Sequence, residues 1–114
     1  MKGFQSFCRD YAFSYKVVHN VAEEDIATGE AYINLMEDDL VTLLEKVKKT
    51  KLKVGKDVGI ISYNETPWKQ FILDGITTIS TDFKKMGAMT AEMILNDKRE
   101  HLPVPFKLTL RRSL

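Results

Sequence analysis

Apolar and polar positions alternate along this chain in blocks that predict helices and strands in turn. The block Met1–Phe13 spaces its large side chains as one face of a helix would, and Tyr15–His19 (YKVVH) predicts a short strand after it. Ala31–Leu35 (AYINL) predicts a second strand, which follows an acidic, turn-like stretch. The chain is therefore expected to begin with a helix and two strands separated by a polar segment.

A second helix is predicted from about residue 37 to residue 50, because charge and periodicity agree there. Its first turn holds three carboxylates, and lysines cluster in and beyond its last turn, as the helix dipole favours. One face follows the i, i+3, i+4, i+7 spacing that is typical of a helix packed on a core. The residues on that face are Leu40, Leu43, Leu44 and Val47.

The next segment predicts two further strands with a short helix between them. Val58–Tyr63 (VGIISY) is a continuous apolar run, which is typical of a parallel strand covered on both faces. Pro67 is suited to the first turn of a short helix. Ile76–Ser80 predicts the strand that follows this helix.

A final helix and strand complete the pattern. Thr81 or Asp82 is a suitable N-cap for a helix that ends near Asn96. The alternating residues from Phe106 to Leu110 predict a last strand. Strands alternate with helices throughout, so we expect an α/β fold with a mostly parallel sheet flanked by helices and right-handed crossovers.

Composition predicts one ordinary soluble domain. The 114 residues carry a net charge of +1, whereas a nucleic-acid-binding domain is usually strongly basic. Cys8 is the only cysteine, which excludes a disulfide framework and fits a reducing cytosol. The N-terminus has no signal-peptide core, and no apolar run is long enough to span a bilayer. We therefore expect a cytoplasmic protein without membrane contact.

Candidate binding residues lie at the carboxyl ends of the predicted strands. Ligands of open α/β sheets bind there, because the loops diverge and helix N-termini present free N–H groups. The residues that this rule selects are His19, Asn20, Met36, Glu37, Asn64, Glu65, Thr81 and Asp82.

Asn64 and Glu65 form the most informative pair among them. Amide and carboxylate groups each engage two neighbouring hydroxyls, and Tyr63 and Trp68 offer aromatic faces to the C–H side of a sugar ring. This combination indicates a polyol ligand. The alternative is that residues 64–66 only form a turn before Pro67, since such residues are common in turns.

Catalytic machinery is not visible in the sequence. The chain has no glycine-rich phosphate loop, and its two histidines lack metal co-ligands at useful spacing. The acidic run at residues 37–39 is able to chelate Mg²⁺, but the first turn of a helix explains it without a metal. We therefore expect neither an enzyme nor a bound metal or cofactor.

Trp68 and Phe71 favour a contact between subunits. One short helix cannot easily bury two large aromatic side chains. Exposed aromatic residues are enriched at protein interfaces, so both residues are interface candidates.

A motif-level similarity extends over most of the chain. Residues 54–95 contain ISYNETP, then a short helix, then GITTIS, then a helix with KKMG near its start. This order resembles the effector-binding core of LacI/GalR-family bacterial transcription regulators, in which a strand ending in Gly-Phe/Tyr-Asp-Asp precedes a Leu-Thr-Thr-Ile strand. Gly3-Phe4 and AYINLMEDDLVTLL resemble further elements of that family. The closing FKLTLRRSL resembles in particular regulators with a GntR-type winged-helix head.

The resemblance implies a periplasmic-binding-protein-like (type I) module of two lobes, with a small molecule, often a sugar, held between them. It places Asn64 at the family's hydroxyl-binding Asp, and Thr81 and Phe83 at cleft-lining positions. Met36 and Glu37 stand where the family has a polar Asn followed by Asp. The apolar Met36 and the uncharged Asn64 are departures, which imply a ligand other than a simple hexose or a low affinity.

The resemblance also implies a homodimer. The family dimerises through the helix that here holds residues 41–48 and through the segment at residues 68–73. In the family, the helix that here starts at Phe83 belongs to the other lobe, so we expect it to fold back onto the sheet or to pack against a second copy. The interface candidates are Val41, Leu44, Lys48, Trp68, Phe71 and Leu73.

These expectations combine into one functional hypothesis. Residues 1–114 form the C-terminal portion of an effector-binding and dimerisation core, while the other lobe and the DNA-binding head lie outside this chain. A sugar-like effector then modulates DNA binding by that head. The alternative is a sugar-binding protein of a transport system with the same fold, which the absence of a signal peptide disfavours.

Overall fold

A four-stranded sheet organises the chain in the computed structural model, which describes residues 1–114. The strand order is β1-β2-β3-β4, with the first two pairings parallel and the last antiparallel. The mostly parallel α/β class predicted from the sequence is therefore confirmed. In chain order the elements are α1 (Lys2–Asp10), a 3₁₀ helix (Val21–Glu23), β1 (Glu30–Asn34), α2 (Glu37–Lys48), β2 (Val58–Tyr63), a 3₁₀ helix (Pro67–Gln70), β3 (Thr77–Thr81), α3 (Phe83–Leu95) and β4 (Phe106–Thr109).

Helix α2 covers one face of the sheet and forms the core with it. Its three carboxylates occupy the first turn and Lys46 and Lys48 the last, which confirms the charge pattern predicted for this helix. The side chains buried at the contact come from α2, from β2, from the residue just before β3 and from the first 3₁₀ helix. They are Leu40, Leu43, Val47, Ile60, Ile76 and Val21.

The second face of the sheet is largely open, which corrects the prediction that β2 is covered on both faces. Residues of β2 alternate between buried and half-buried, because only the face towards α2 is packed by a helix. On the open face, Ile33 of β1 and Leu108 of β4 remain about half exposed. This sheet is therefore packed on one side only.

The N-terminal segment differs from its prediction. Residues Tyr15–His19 form no strand, because their aromatic end packs onto α1 instead of pairing with the sheet. The rings of Phe4 and Tyr15 meet edge to face with centroids 5.3 Å apart, and Phe7 stacks on Phe13. Helix α1 itself ends at Asp10, before the predicted residue 13, and its Cys8 is buried.

Helix α3 projects away from the sheet. Asp82 caps it by accepting a hydrogen bond from the Lys85 N–H at 2.9 Å, which confirms one of the two predicted caps. The helix has no buried residue, so the prediction that it folds back onto the sheet is wrong. Its packing against a second copy stays a prediction. The radius of gyration is 16.9 Å, whereas a compact domain of this length has about 13 Å.

The end of the chain joins β2 to β3 at their amino ends. The Ser113 hydroxyl donates to the Ile60 carbonyl at 2.6 Å and accepts from the Thr77 N–H at 2.7 Å. The Ile60 N–H donates in turn to the Ser113 carbonyl. Direct pairing therefore joins the carboxyl half of β2 to the amino half of β3, at residues 61–63 and 77–79. No helix of this fold is long and apolar enough to cross a bilayer.

Candidate functional site

Strands β1 and β2 end side by side, and the turn of residues 63–66 follows directly. Asn34 is in register with Ser62, which places the last residue of β1 beside the end of β2. The Asn64 N–H donates to the Ile79 carbonyl at 2.9 Å, so β3 anchors the turn from the other side. Asn64 has φ +63°, a conformation that Asn tolerates better than most residues. We call this region, with residues 34, 37, 63–66 and 81, the carboxyl edge.

Three buried oxygen atoms at the carboxyl edge have no hydrogen-bond partner in the protein. They belong to the side chains of Asn34, Asn64 and Thr66. A buried polar atom left unpaired costs about 1–3 kcal/mol, so such atoms are rare in folded chains. The two asparagine oxygens accept hydrogen bonds and the Thr66 hydroxyl both donates and accepts, so water or a ligand with hydroxyl groups is able to satisfy all three.

A fully buried lysine holds the turn in place. The Lys69 ammonium, at 0% exposure, donates to the Asn64 carbonyl at 2.6 Å and to the Tyr63 carbonyl at 3.2 Å. It also pairs with the Glu37 carboxylate at 2.6 Å. Glu37 lies at the start of α2, so this ammonium joins the turn to that helix. The predicted residues Tyr63, Asn64 and Glu37 are thereby brought together.

The Glu65 carboxylate is engaged inside the protein. It accepts hydrogen bonds from the Thr78 hydroxyl and from the Arg111 guanidinium, the latter at 2.9 Å. Burial alone would raise the pKa of Glu65. The hydrogen bonds from Arg111 and Thr78, together with the charges of Arg111 and Lys69, outweigh burial and lower that pKa below its ordinary value. Glu65 thus has a structural role, and its predicted contact with a ligand stays a prediction.

The two remaining cleft candidates lie at the end of β3. Thr81 is half-buried and in register with Phe106, whose ring centroid is 6.2 Å from that of Tyr63. Phe83 begins α3 and is about half exposed. Partly exposed aromatic rings therefore flank the polar turn at the carboxyl edge.

Two of the residues selected at strand ends lie elsewhere. Because Tyr15–His19 forms no strand, His19 and Asn20 do not belong to the carboxyl edge. The Asn20 side chain instead caps the first 3₁₀ helix by accepting from the Ala22 N–H. Met36 lies before α2 and is exposed, with its side chain contributing no cap.

An open apolar groove separates α2 from the second 3₁₀ helix. Its volume is about 770 Å³. Phe71, which follows that 3₁₀ helix, is 78% exposed beside it. Five of the six predicted interface residues line the groove, and these are Val41, Leu44, Lys48, Trp68 and Leu73.

Sequence reasoning missed Asn34, Thr66, Lys69 and Arg111. Asn34 had a usable signal, since it is a polar residue on the inward face of a predicted strand, at its carboxyl end. Lys69 had none, because nothing in the local pattern distinguishes it from the exposed lysines. No cluster of three or more potential metal ligands is assembled anywhere in the fold.

The fold defines the class of the protein, an α/β domain with a mostly parallel sheet of four strands. The sequence matches the family model of the periplasmic binding protein-like domain over residues 1–114, so the chain belongs to that family. No curated protein matches the chain significantly.

Solved structures share this fold. One, assigned as a transcription regulator of Staphylococcus saprophyticus, is 25% identical with a TM-score of 0.61, over 74% of this chain and 32% of that one. A LacI family regulator from Lactobacillus casei with bound glucose is 21% identical, with a TM-score of 0.58 over 74% and 32% of the two chains. A dimeric Lac repressor with a C-terminal deletion is 19% identical, with a TM-score of 0.62 over 73% and 32%. This chain spans about a third of the length of these regulators.

The lowered pKa of Glu65 predicts a pH dependence of folding. A carboxylate whose folded pKa lies below its ordinary value of 4.5 stabilises the fold above that value. This contribution is lost as the pH falls through the folded pKa. Glu65→Gln should therefore lower the free energy of unfolding at neutral pH, and its difference from wild type should vanish well below pH 4.5, as measured by urea denaturation.

The matched control is Glu92→Gln, which changes an exposed carboxylate on α3. It should unfold as wild type does at both pH values. A difference between wild type and Glu65→Gln that stays constant across the range would contradict the assigned role of the ionised carboxylate.

Proposed function

We propose that this chain is one lobe of the ligand-sensing and dimerisation part of a bacterial transcription regulator that acts in the cytoplasm. The ligand is a sugar or a sugar derivative. DNA is bound by a separate head domain, for which a GntR-type winged helix is our candidate. The solved structures that share the fold are regulators, which favours this function over transport.

The observation that carries the proposal is the set of unpaired buried oxygens at the carboxyl edge. Sugar hydroxyls are small donors that satisfy such acceptors, and the Asn64 amide is the group best placed among the predicted residues. The rings of Tyr63 and Phe83 offer apolar surface for the C–H face of the sugar, and Thr81 adds a hydroxyl. The Lactobacillus casei regulator was solved with glucose bound, which supports glucose as the first probe. Because Met36 and Asn64 imply a low affinity for a simple hexose, the sugar is titrated to high concentration.

The groove between α2 and the second 3₁₀ helix is the surface that we assign to the homodimer. Apolar surface concentrated in a groove with a polar rim is typical of protein interfaces. Val41, Leu44 and Trp68 supply the apolar lining, and Lys48 and Glu45 supply charges. The exposed ring of Phe71 extends this surface beyond the groove.

Ligand binding acts on DNA binding through the orientation of the two lobes. A ligand that contacts both lobes favours the orientation in which both sets of contacts form. In a dimer, that shift changes the spacing of the two head domains and therefore their affinity for DNA. This chain supplies one side of the cleft and the surface that keeps the two copies together.

Replacing Asn64 with glycine should weaken sugar binding. Glycine accepts φ +63° without strain, so Asn64→Gly removes the amide and leaves the turn intact. Loss of a hydrogen bond worth about 1–1.5 kcal/mol weakens binding roughly 5- to 10-fold. Isothermal titration with glucose and with sucrose measures this change.

Asn96→Gly, at the exposed end of α3, is the matched control and should bind as wild type does. If wild type binds neither sugar, or if Asn64→Gly binds as tightly as wild type, the assignment of a sugar to the carboxyl edge is wrong.

A carboxylate placed in the groove should dissociate the dimer. Val41 is about half exposed in the single chain, so Val41→Glu leaves folding possible. In a dimer the new charge would be buried without a partner, which costs more than about 1.4 kcal/mol and weakens association at least tenfold. Sedimentation velocity over a range of concentrations measures this shift.

Val17→Glu introduces the same change at a partly exposed valine outside the groove and should leave association unchanged. A wild-type chain that stays monomeric at all concentrations, or equal effects of the two variants, would refute the groove as the dimer surface.

A further inference from the structure

We propose that Lys69 is a positioning residue that couples the ligand-binding turn to both walls of the groove. The proposal rests on the proposed function and adds a physical connection between its two surfaces. The Lys69 ammonium contacts the turn of residues 63–66 and the start of α2. The residue itself is part of the second 3₁₀ helix.

The first link runs from Lys69 to the turn. Its ammonium binds the carbonyls of Tyr63 and Asn64, two consecutive residues, and draws both oxygens towards one point. This arrangement fixes the peptide between them and the backbone of Asn64 at φ +63°. A ligand that moves the Asn64 side chain or backbone therefore acts directly on the ammonium.

The second link runs from Lys69 to α2. The Glu37 carboxylate lies 2.6 Å from the same ammonium, and Glu37 is the first residue of the helix. Val41, one turn further along α2, lines the groove. A displacement of the ammonium consequently changes the ion pair that fixes the start of this groove wall.

The third link is the 3₁₀ helix that carries Lys69. Trp68, the residue before Lys69 in this helix, lines the wall of the groove opposite α2. The Lys69 ammonium lies 5.8 Å from the centroid of the Trp68 ring. The Lys69 carbonyl accepts from the Ile76 N–H at 2.8 Å, which fixes the backbone of the short helix to the chain just before β3. Lys69 thus pairs with Glu37 of α2 and belongs to the short helix that carries Trp68, so it is connected to both walls of the groove without lining it.

Burial makes these links obligatory. An ammonium has three donors, and those of Lys69 meet two carbonyls and one carboxylate. The side chain is fully buried, so solvent water cannot replace a hydrogen-bond partner that moves away. When the turn moves, Lys69 must move with it. Because coupling between two sites is reciprocal, a partner bound in the groove must likewise affect the turn.

The test follows a perturbation across the molecule by ¹⁵N NMR of the full chain and needs no ligand. Asn64→Gly keeps the turn folded but makes its backbone more flexible, because glycine has access to more φ/ψ values than asparagine. It should shift the amide resonances of residues 39–43 in α2 and the indole N–H of Trp68. Both remote shifts should be lost when Asn64→Gly is made in a Lys69→Met background. In a Lys84→Met background, which changes an exposed lysine on α3, both should persist.

Glu37→Gln provides a second background that removes the negative charge opposite the ammonium and leaves the buried Lys69 side chain in place. In this background, Asn64→Gly should no longer shift the amide resonances of α2 but should still shift the indole N–H of Trp68. This result tests the proposal even if Lys69→Met does not fold. Remote shifts that persist with Glu37→Gln and with Lys69→Met, or that are absent from the wild-type background, overturn the proposal. Failure of sugars to bind would refute the proposed function instead, because these shifts are measured without sugar.

Discussion

Complete burial of one ammonium is the constraint on which the arrangement of this site depends. A charged lysine removed from water is strongly unfavourable unless its donors find partners in the protein. Lys69 finds them in the carbonyls of Tyr63 and Asn64 and in the carboxylate of Glu37. The turn after β2 is therefore held in one position against α2. The Asn64 side-chain oxygen, which belongs to this turn, has no hydrogen-bond partner within the protein.

The same fold explains why two further surfaces are open. Helix α2 covers one face of the sheet, and the Ser113 hydroxyl closes the gap between β2 and β3 at the opposite end from the site. The second sheet face and α3 lack such cover. The part of this chain that matches the regulators sharing the fold covers only about a third of each of them.

Features that depend on local pattern could be predicted from the sequence, and features that depend on tertiary packing could not. Helix α2 was predictable because its periodicity and its terminal charges agree within twelve residues. Tyr15–His19 has the same alternation as a strand, but its aromatic end finds partners on α1. Asn64 was predictable from its place after an apolar strand. The burial of Lys69 was not, because it arises from Glu37, which is remote in sequence and meets it only in the folded chain.

The central claim is that the carboxyl edge accepts sugar hydroxyls, and a glucose titration followed by ¹⁵N NMR tests it most directly. We expect that the resonances which move first and farthest are the backbone amides of Asn34, Asn64 and Thr66 and the side-chain amides of the two asparagines. Saturating glucose that leaves these three unmoved, or that moves only residues of the groove between α2 and the second 3₁₀ helix, would contradict it.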